Sequence, residues 1–159
     1  MELDKIDVRL LDLIQRNNKL TSEELGEVVG LSPSGVQRRL KRLRSEGVIE
    51  ADVSIVSPTA VGRNVTMLVL VSLERERADI VDRFKASIAN TPEVMSGFYV
   101  TGDADFVLTI TANSMEDYEL FTRSFFYENS DIKSIKTMVV MDRVKAGFVL
   151  PLHGGVSVK

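Results

Sequence analysis

The junction between the second and third predicted helices constrains the fold more than any other feature of the chain. Thr21 and Glu24 have the spacing of a capping box, which begins a helix. Gly30 permits the left-handed conformation that ends a helix. Ser32 and Pro33 then supply a new N-cap and a proline at the first helical position. The third helix is therefore predicted to begin about two residues after the second ends.

An amphipathic helix precedes this pair, with Asp4 as its predicted N-cap. Its apolar residues recur at helical spacing: Ile6, Leu10, Leu13 and Ile14. Two helices joined by a tight glycine-containing turn, with another helix to complete the core, are typical of a helix-turn-helix. After the third helix, the apolar pattern predicts a short wing-like strand through Val48, Ile49, Val53 and Ile55.

The third helix carries a concentrated positive charge. Five of the seven residues 38–44 are arginine or lysine, and Glu46 is the one acid of this helix. Because i,i+4 acidic partners are missing, we expect the positive face to be turned outward and left without ion pairs. The candidate DNA-contacting residues are Ser32, Ser34, Gln37, Arg38, Arg39, Lys41, Arg42 and Arg44.

Position along the helix separates two kinds of contact. Ser34, Gln37 and Arg38 lie near the N-terminal end, from which side chains reach base edges in the major groove. The residues expected mainly to hold phosphates are Arg39, Lys41, Arg42 and Arg44. A run of charge on a helix is often just a solvated face, and the sequence alone leaves that alternative open.

Composition limits the other functions. The net charge of −3 means that attraction to nucleic acid must be local and not a property of the whole chain. With no cysteine and with His153 as the one histidine, the chain lacks ligands for a zinc site, so we expect no metal and no cofactor. No stretch approaches the roughly 20 apolar residues of a membrane span. We therefore expect a cytoplasmic protein that does not contact membranes.

Residues 57–64 carry turn residues without a sustained apolar period, which predicts a linker. The predicted parts are a helix-turn-helix DNA-binding domain at 1–56, the linker at 57–64, a second domain at 65–152 and a tail at 153–159. The second domain reads as strand, helix, strand, strand, helix, strand. The predicted fold class is therefore α+β, with an N-terminal winged helix-turn-helix and a C-terminal ferredoxin-like βαββαβ αβ-sandwich.

The strands of the second domain are predicted at residues 65–73, 94–101, 106–112 and 135–141, with an extension at 145–150. Its helices are predicted to begin at the N-caps Asp79 and Ser114. One sheet face of such a sandwich is bare, and either parity of the first strand leaves apolar side chains on it. We expect self-association through this face; the alternative is that the tail or the wing covers it within one chain.

Three stretches together resemble the Lrp/AsnC family, the feast/famine amino-acid-responsive transcriptional regulators of bacteria and archaea. They are LDKIDVRLLDLIQ from Leu3, VGLSPSGVQRRLKRLRSEGVIE from Val29, and TGDADF from Thr101. The resemblance runs to about Leu152. It implies a DNA-binding N-terminal domain and a C-terminal domain that forms homodimers through its sheets, with dimers assembling into tetramers or octamers. It also implies that a small amino acid binds between dimers, near the hairpin turn.

The hairpin turn gives that implied ligand site a physical basis. Gly102 lets a ligand carboxylate approach backbone N–H groups, and Asp105 is suited to pair with an α-ammonium group. The candidate effector-binding residues are Tyr99, Thr101, Gly102, Asp103, Asp105, Met115, Met138 and Val140. An equally good interpretation is that Gly102 and Asp105 only form the turn.

We predict a sequence-specific DNA-binding transcriptional regulator that responds to a small amino acid or related metabolite. Its expected partners are double-stranded DNA, the amino acid and further copies of itself. A second possibility is a metabolite-sensing module whose helix-turn-helix docks on a protein. A third is an enzyme similar to the sirohaem decarboxylases, which need histidine and arginine around a tetrapyrrole. Because His153 is the one histidine, we predict that the chain is not an enzyme.

Overall fold

The computed structural model of the protein describes residues 2–152, and the predicted tail with His153 lies outside them. The described residues form two units, one of residues 2–54 with 145–152 and the other of residues 55–144. In this division, residues 145–152 group with the first unit. There the side-chain amide of Gln15 makes two 2.9 Å hydrogen bonds, one to the backbone carbonyl and one from the backbone N–H of Leu150.

The first unit contains three helices, α1 (Lys5–Ile14), α2 (Ser22–Val29) and α3 (Pro33–Ser45). Each begins at the predicted N-cap, where the side chain accepts a hydrogen bond from a backbone N–H in the first turn; the three caps are Asp4, Thr21 and Ser32. Gly30 ends α2 with φ of 71°. The helices bury one apolar core through Leu10, Ile14, Leu25, Val36, Leu40 and Leu43.

The predicted wing strand does not form, because residues 48–57 contain no β-strand. In the described part of the chain, the β-strands belong to one sheet in the second unit. Val53, Ile55 and Val56 are exposed. An alternating apolar pattern makes a strand only where a neighbouring strand takes its backbone hydrogen bonds, and none is beside these residues within residues 2–152.

The second unit contains β1 (Val65–Leu73), α4 (Ala78–Ala89), β2 (Val94–Tyr99), β3 (Phe106–Ala112), α5 (Met115–Thr122) and β4 (Ile132–Val139). This is the predicted βαββαβ order. A short 3₁₀ helix, Thr59–Val61, precedes it, and a π-helical turn, Arg123–Tyr127, follows α5. The sheet order is β2-β3-β1-β4 with antiparallel neighbours. No helix within residues 2–152 is long and apolar enough to cross a membrane.

Four boundaries of the second unit differ from the prediction. The N-cap of α4 is Arg77, and Asp79 lies inside the first turn. β2 ends at Tyr99, and β4 begins at Ile132 and ends at Val139, so both strands are displaced by two or three residues from the predicted ends. Strand ends depend on the partner strand, which the local sequence does not specify.

The two faces of the sheet differ in burial. The helices cover the face formed on β1 by Met67, Val69, Val71 and Leu73, all of which are buried. Behind them, the rings of Phe84 and Phe106 meet edge to face with centroids 4.9 Å apart. The other face carries the half-buried Leu68 and Leu70. Of the two alternating sets of side chains on β1, the set with Leu68 and Leu70 therefore lies on the open face and forms its apolar centre.

Candidate functional sites

One face of α3 presents an exposed row of polar side chains. The row consists of Ser34, Gln37, Arg38 and Lys41. The opposite face is buried in the core through Val36, Leu40 and Leu43. Ser32 caps the helix by accepting a 3.2 Å hydrogen bond from the backbone N–H of Gly35. The exposed row therefore starts at a capped helix N-terminus, where polar groups can approach a phosphate or a base edge.

Two arginines of α3 point back to α1. Arg39 Nη1 lies 2.6 Å from Asp4 Oδ2 and 2.8 Å from Asp7 Oδ1. Arg42 Nη2 lies 2.5 Å from Asp7 Oδ2, and the Asp7 side chain is 1% exposed. The expectation of a positive face without ion pairs is therefore wrong for these arginines. The i,i+4 pattern cannot reveal such pairs, because the acids lie on another helix 32 to 35 residues earlier.

A third arginine of α3 is also paired. Arg44 makes a forked contact with Asp52, with Nε 2.8 Å from Oδ2 and Nη2 3.4 Å from Oδ1. The hydrogen bond from Arg44 holds the pKa of Asp52 below its ordinary value. Within residues 2–152, Arg38 and Lys41 make no ion pair. The charge available to a polyanion is thus concentrated on the exposed row.

The ion pair between Asp4 and Arg39 is ionised at neutral pH. The hydrogen bond that the backbone N–H of Asp7 donates to Asp4, reinforced by Arg39, holds the pKa of Asp4 below its ordinary value. The hydrogen bonds that Arg39 donates to Asp4 and Asp7 raise the pKa of the guanidinium group. Both shifts favour the charged forms, so the contact persists over the physiological pH range.

The second unit has an open pocket of about 650 Å³ at the β2–β3 hairpin turn. It is lined by Glu76, Tyr99, Val100, Thr101, Gly102, Ala104 and Asp105. Gly102 has a φ of 126°, a conformation that side chains disfavour. Of the eight predicted effector residues, the turn brings together Tyr99, Thr101, Gly102 and Asp105, whereas Asp103 lies in the turn but does not line the pocket.

The Asp105 carboxylate has a structural contact as well as a place in the pocket. Its Oδ2 accepts a 2.6 Å hydrogen bond from the backbone N–H of Leu73, at the end of β1. A hydrogen bond between Glu76 and Asp105 raises the pKa of Glu76, because two adjacent carboxylates disfavour double ionisation. The pocket therefore holds two adjacent acidic groups, an arrangement that suits a positively charged group of a ligand.

Two family models match the chain. The model described as winged helix-turn-helix DNA-binding matches residues 3–50. The model described as Lrp/AsnC ligand binding domain matches residues 66–150, which is more than half of the chain. The chain belongs to the Lrp/AsnC family. As a member of this family it is a transcriptional regulator and not an enzyme, which confirms the prediction from the sequence.

Individual relatives agree with the family assignment. The HTH-type transcriptional regulator y4tD of Sinorhizobium fredii is 74% identical over 153 residues, covering 96% of this chain and 90% of the relative. The leucine-responsive regulatory protein of Haemophilus influenzae is 31% identical over 90% of this chain and 86% of its own length. A Neisseria meningitidis transcriptional regulator, solved as a complex with L-methionine, has a TM-score of 0.88 and 32% identity, covering 95% of this chain and 97% of that one.

Three predicted effector residues of this Lrp/AsnC protein lie away from the hairpin pocket. Met115 lines a second pocket of about 500 Å³ between α5 and β4. Met138 lies on β4, and Val140 follows that strand, with its N–H bonded to the Thr66 carbonyl at 2.9 Å. Because β3 and β1 separate β2 from β4, one protomer does not bring Met138 and Val140 to the hairpin. Met115 shares its pocket with Ile135 and Thr137 of β4 and not with the hairpin residues.

The sequence missed two groups of polar residues. Glu76 lines the hairpin pocket, but it lies in the alternating charges of residues 74–77, where no local pattern distinguishes it. Asp4 is predicted from the sequence only as an N-cap, Asp7 is not among the predicted residues, and the contacts of both with α3 are found only in the structure. The i,i+3 spacing of these two acids placed both on one helix face, which was the available signal that the face meets positive charge.

Proposed function

We propose that α3 enters the major groove of duplex DNA and reads bases with Ser34, Gln37 and Arg38 while Lys41 holds a phosphate. The observation that carries this proposal is the exposed row, on which Arg38 and Lys41 are without ion pairs in the described residues. Arg44 joins the phosphate contacts by exchanging partners, since its pair with Asp52 is 45% and 40% exposed and is therefore weak. Since its target is DNA, the regulator acts in the cytoplasm.

The effector in this proposal is a small amino acid bound at the hairpin pocket. Backbone N–H groups beside Gly102 hold its carboxylate, and Asp105 with Glu76 holds its ammonium group. The amino-acid class is supported by two relatives, one solved with L-methionine and one named as leucine-responsive. Thr101 and Tyr99 complete the walls of the pocket, with Asp103 in the same turn.

The open face of the sheet supports a homodimer. Cross-strand neighbours place Phe98, Val107 and Leu70 side by side, and Leu68 beside Met138. In the protomer, Phe98 is 60% exposed and Met138 is 42% exposed. An apolar surface of this kind is typical of an interface. Met115, Met138 and Val140 then belong to the effector site only through further copies, in the tetramers or octamers that the family resemblance implies.

The test is DNA binding by the full chain, measured by fluorescence anisotropy with the duplex upstream of its own gene. The salt concentration is varied, and the twenty amino acids are added singly. We expect binding that weakens linearly with the logarithm of salt concentration, and a change in affinity on adding one or a few amino acids. The change should vanish in Asp105→Asn, which keeps the shape of the pocket but loses its charge.

Two outcomes would contradict parts of the proposal. A protein indifferent to duplexes at low ionic strength would exclude DNA as the partner and favour docking on a protein. DNA binding that no amino acid alters would exclude the effector assignment and leave the DNA interface intact.

A further inference from the structure

The Asp7 carboxylate joins the two helices that define the DNA-binding unit. It lies in the first turn of α1 with a side chain that is 1% exposed. Its Oδ1 accepts from Arg39 at 2.8 Å, and its Oδ2 accepts from Arg42 at 2.5 Å. Both oxygens of a buried carboxylate are therefore engaged by guanidinium groups from α3.

Capping of α1 accounts for a smaller part of this arrangement. The backbone N–H of Asp4 donates to Asp7 Oδ2 at 3.2 Å, which completes the capping box. That contact would form equally well with an exposed Asp7 side chain, since the capping box of Thr21 and Glu24 forms with exposed side chains in the same unit. Burial of a charge is costly unless the charge is paired. The ion pairs with the two arginines therefore offset the cost of burying the Asp7 carboxylate.

The positions of Arg39 and Arg42 on α3 allow their contacts with Asp7 to constrain the orientation of the helix. Arg39 and Arg42 are one turn apart and lie between the buried stripe and the exposed row. Apolar packing is non-directional and tolerates small rotations of a helix, whereas two hydrogen bonds from guanidinium groups to one carboxylate define both rotation and translation. The direction of the Arg38 side chain follows from that placement.

We propose that Asp7 is a positioning residue for DNA reading. Through Arg39 and Arg42 it sets the orientation of α3, and it withdraws both arginines from the phosphate contacts that their place in the basic run predicts. This inference rests on the proposed function of α3 as the DNA-reading helix. It assigns the basic run two roles, with Arg39 and Arg42 orienting the helix and Arg38 and Lys41 contacting DNA.

The decisive variant is Asp7→Asn, which keeps the volume of the side chain and removes its charge. Affinity is measured for a duplex selected by the wild-type protein from a random library and for a shuffled duplex of equal length and composition. We expect selected-duplex affinity to fall about tenfold or more, as when an interaction with a base is misplaced. Shuffled-duplex affinity should stay or rise, and the logarithmic salt slope should steepen by about one, because Arg42 is released to hold a phosphate while Arg39 keeps its contact with Asp4.

Asp52→Asn is the matched control, because it removes the same charge and releases Arg44 of α3 without touching the contact to α1. It should raise the affinity for both duplexes alike and leave their ratio unchanged. A structural defect in Asp7→Asn would instead weaken both duplexes in proportion to the unfolded fraction, which thermal unfolding measures. An unchanged ratio of affinities in Asp7→Asn would overturn the positioning role.

If Asp7→Asn does not fold, Arg42→Gln tests the same inference, because Arg39 still neutralises Asp7 in that variant. We expect a reduced ratio of selected to shuffled affinity with an unchanged salt slope. A salt slope that becomes shallower by about one, with both duplexes weakened alike, would show a direct phosphate contact and overturn the inference. Failure of the wild-type protein to bind either duplex would instead remove the proposed function on which the inference rests.

Discussion

At the scale of single residues, the cationic side chains of α3 form two groups. One group is paired with aspartates, and the other is exposed. Arg38 and Lys41 are exposed and three residues apart on the same face. Arg38 lies closer to the helix N-terminus and carries a planar guanidinium group that fits the two acceptors of a guanine edge. Lys41 carries a compact charge that suits a phosphate.

Replacing these two residues should therefore give different binding profiles. We expect Arg38→Ala to cost about 1 to 3 kcal/mol on the selected duplex and to relax the preference at one base position. Lys41→Ala should weaken all duplexes alike and flatten the logarithmic salt slope by about one unit. The measurement is anisotropy on single-base-substituted duplexes at several salt concentrations.

Lys19→Ala supplies the control for loss of one positive charge, since Lys19 is exposed in the first unit outside α3. It should change neither the base preference nor the salt slope. Equal losses on selected and shuffled DNA for Arg38→Ala would count against its role in base reading.

The contacts of single residues also show which features of the site can be predicted from the sequence. The caps at Asp4, Thr21 and Ser32 were predictable because each joins atoms three residues apart. The pairing of Arg39 with Asp7 was not, since it depends on how α1 packs against α3. The same limit applies to Glu76, which meets Asp105 through the packing of the hairpin against the end of β1.

At the scale of elements, the tight turn depends on a glycine that the sequence did not single out. Gly26 is buried in α2, and its carbonyl accepts hydrogen bonds from the N–H groups of Gly30 at 2.8 Å and Leu31 at 3.0 Å. A Cβ atom at Gly26 would collide with the backbone carbonyl oxygen of Leu31. Because that oxygen belongs to the turn backbone, the clash cannot be relieved by a side-chain rotation.

We expect Gly26→Ala to lower the free energy of unfolding by about 1 to 3 kcal/mol, the usual cost of overpacking. The favourable helix propensity of alanine, about 1 kcal/mol relative to glycine, acts in the opposite direction and should not compensate fully. Chemical denaturation of the full chain measures the effect. Glu27→Ala, an exposed change on the same helix, should alter the free energy of unfolding by less than about 0.5 kcal/mol, and a Gly26→Ala protein as stable as wild type would contradict the close approach.

Helices and paired strands were more predictable than the wing. Helices α1 to α3 are specified by local caps and apolar spacing, and β1 and β3 by continuous apolar runs. Residues 48–57 have a comparable apolar alternation but form no strand. These residues differ because no neighbouring strand in the described part of the chain pairs with their backbone, and no local sequence pattern reveals this.

At the scale of the whole molecule, the proposed homodimer brings together the open sheet faces of two protomers. Leu70 lies at the centre of this face, with Val107 and Lys136 as its cross-strand neighbours. A carboxylate at this position is tolerated in a lone protomer, because it is accessible to water and lies beside the Lys136 ammonium group. In a sheet-to-sheet dimer the same carboxylate would be buried near its symmetry mate.

We therefore expect Leu70→Glu to shift the protein to a monomer, with a mass near the 17.7 kDa of one chain, while the wild type has at least twice that mass. Sedimentation velocity measures the distribution, and circular dichroism checks that the fold persists. Affinity for a duplex with two half-sites about 10 bp apart should fall at least about a hundredfold, because a monomer engages one half-site at a time.

The control for this change is Leu120→Glu, the same substitution at a side chain on α5 that is 60% exposed and lies outside the sheet. It should keep at least the dimer mass. If Leu70→Glu sediments like the wild type, the open face is not the dimer interface, and the two-half-site affinity should then be unaffected as well. A monomer that still binds the two-half-site duplex with wild-type affinity would separate assembly from DNA reading, and each α3 would then have to act independently.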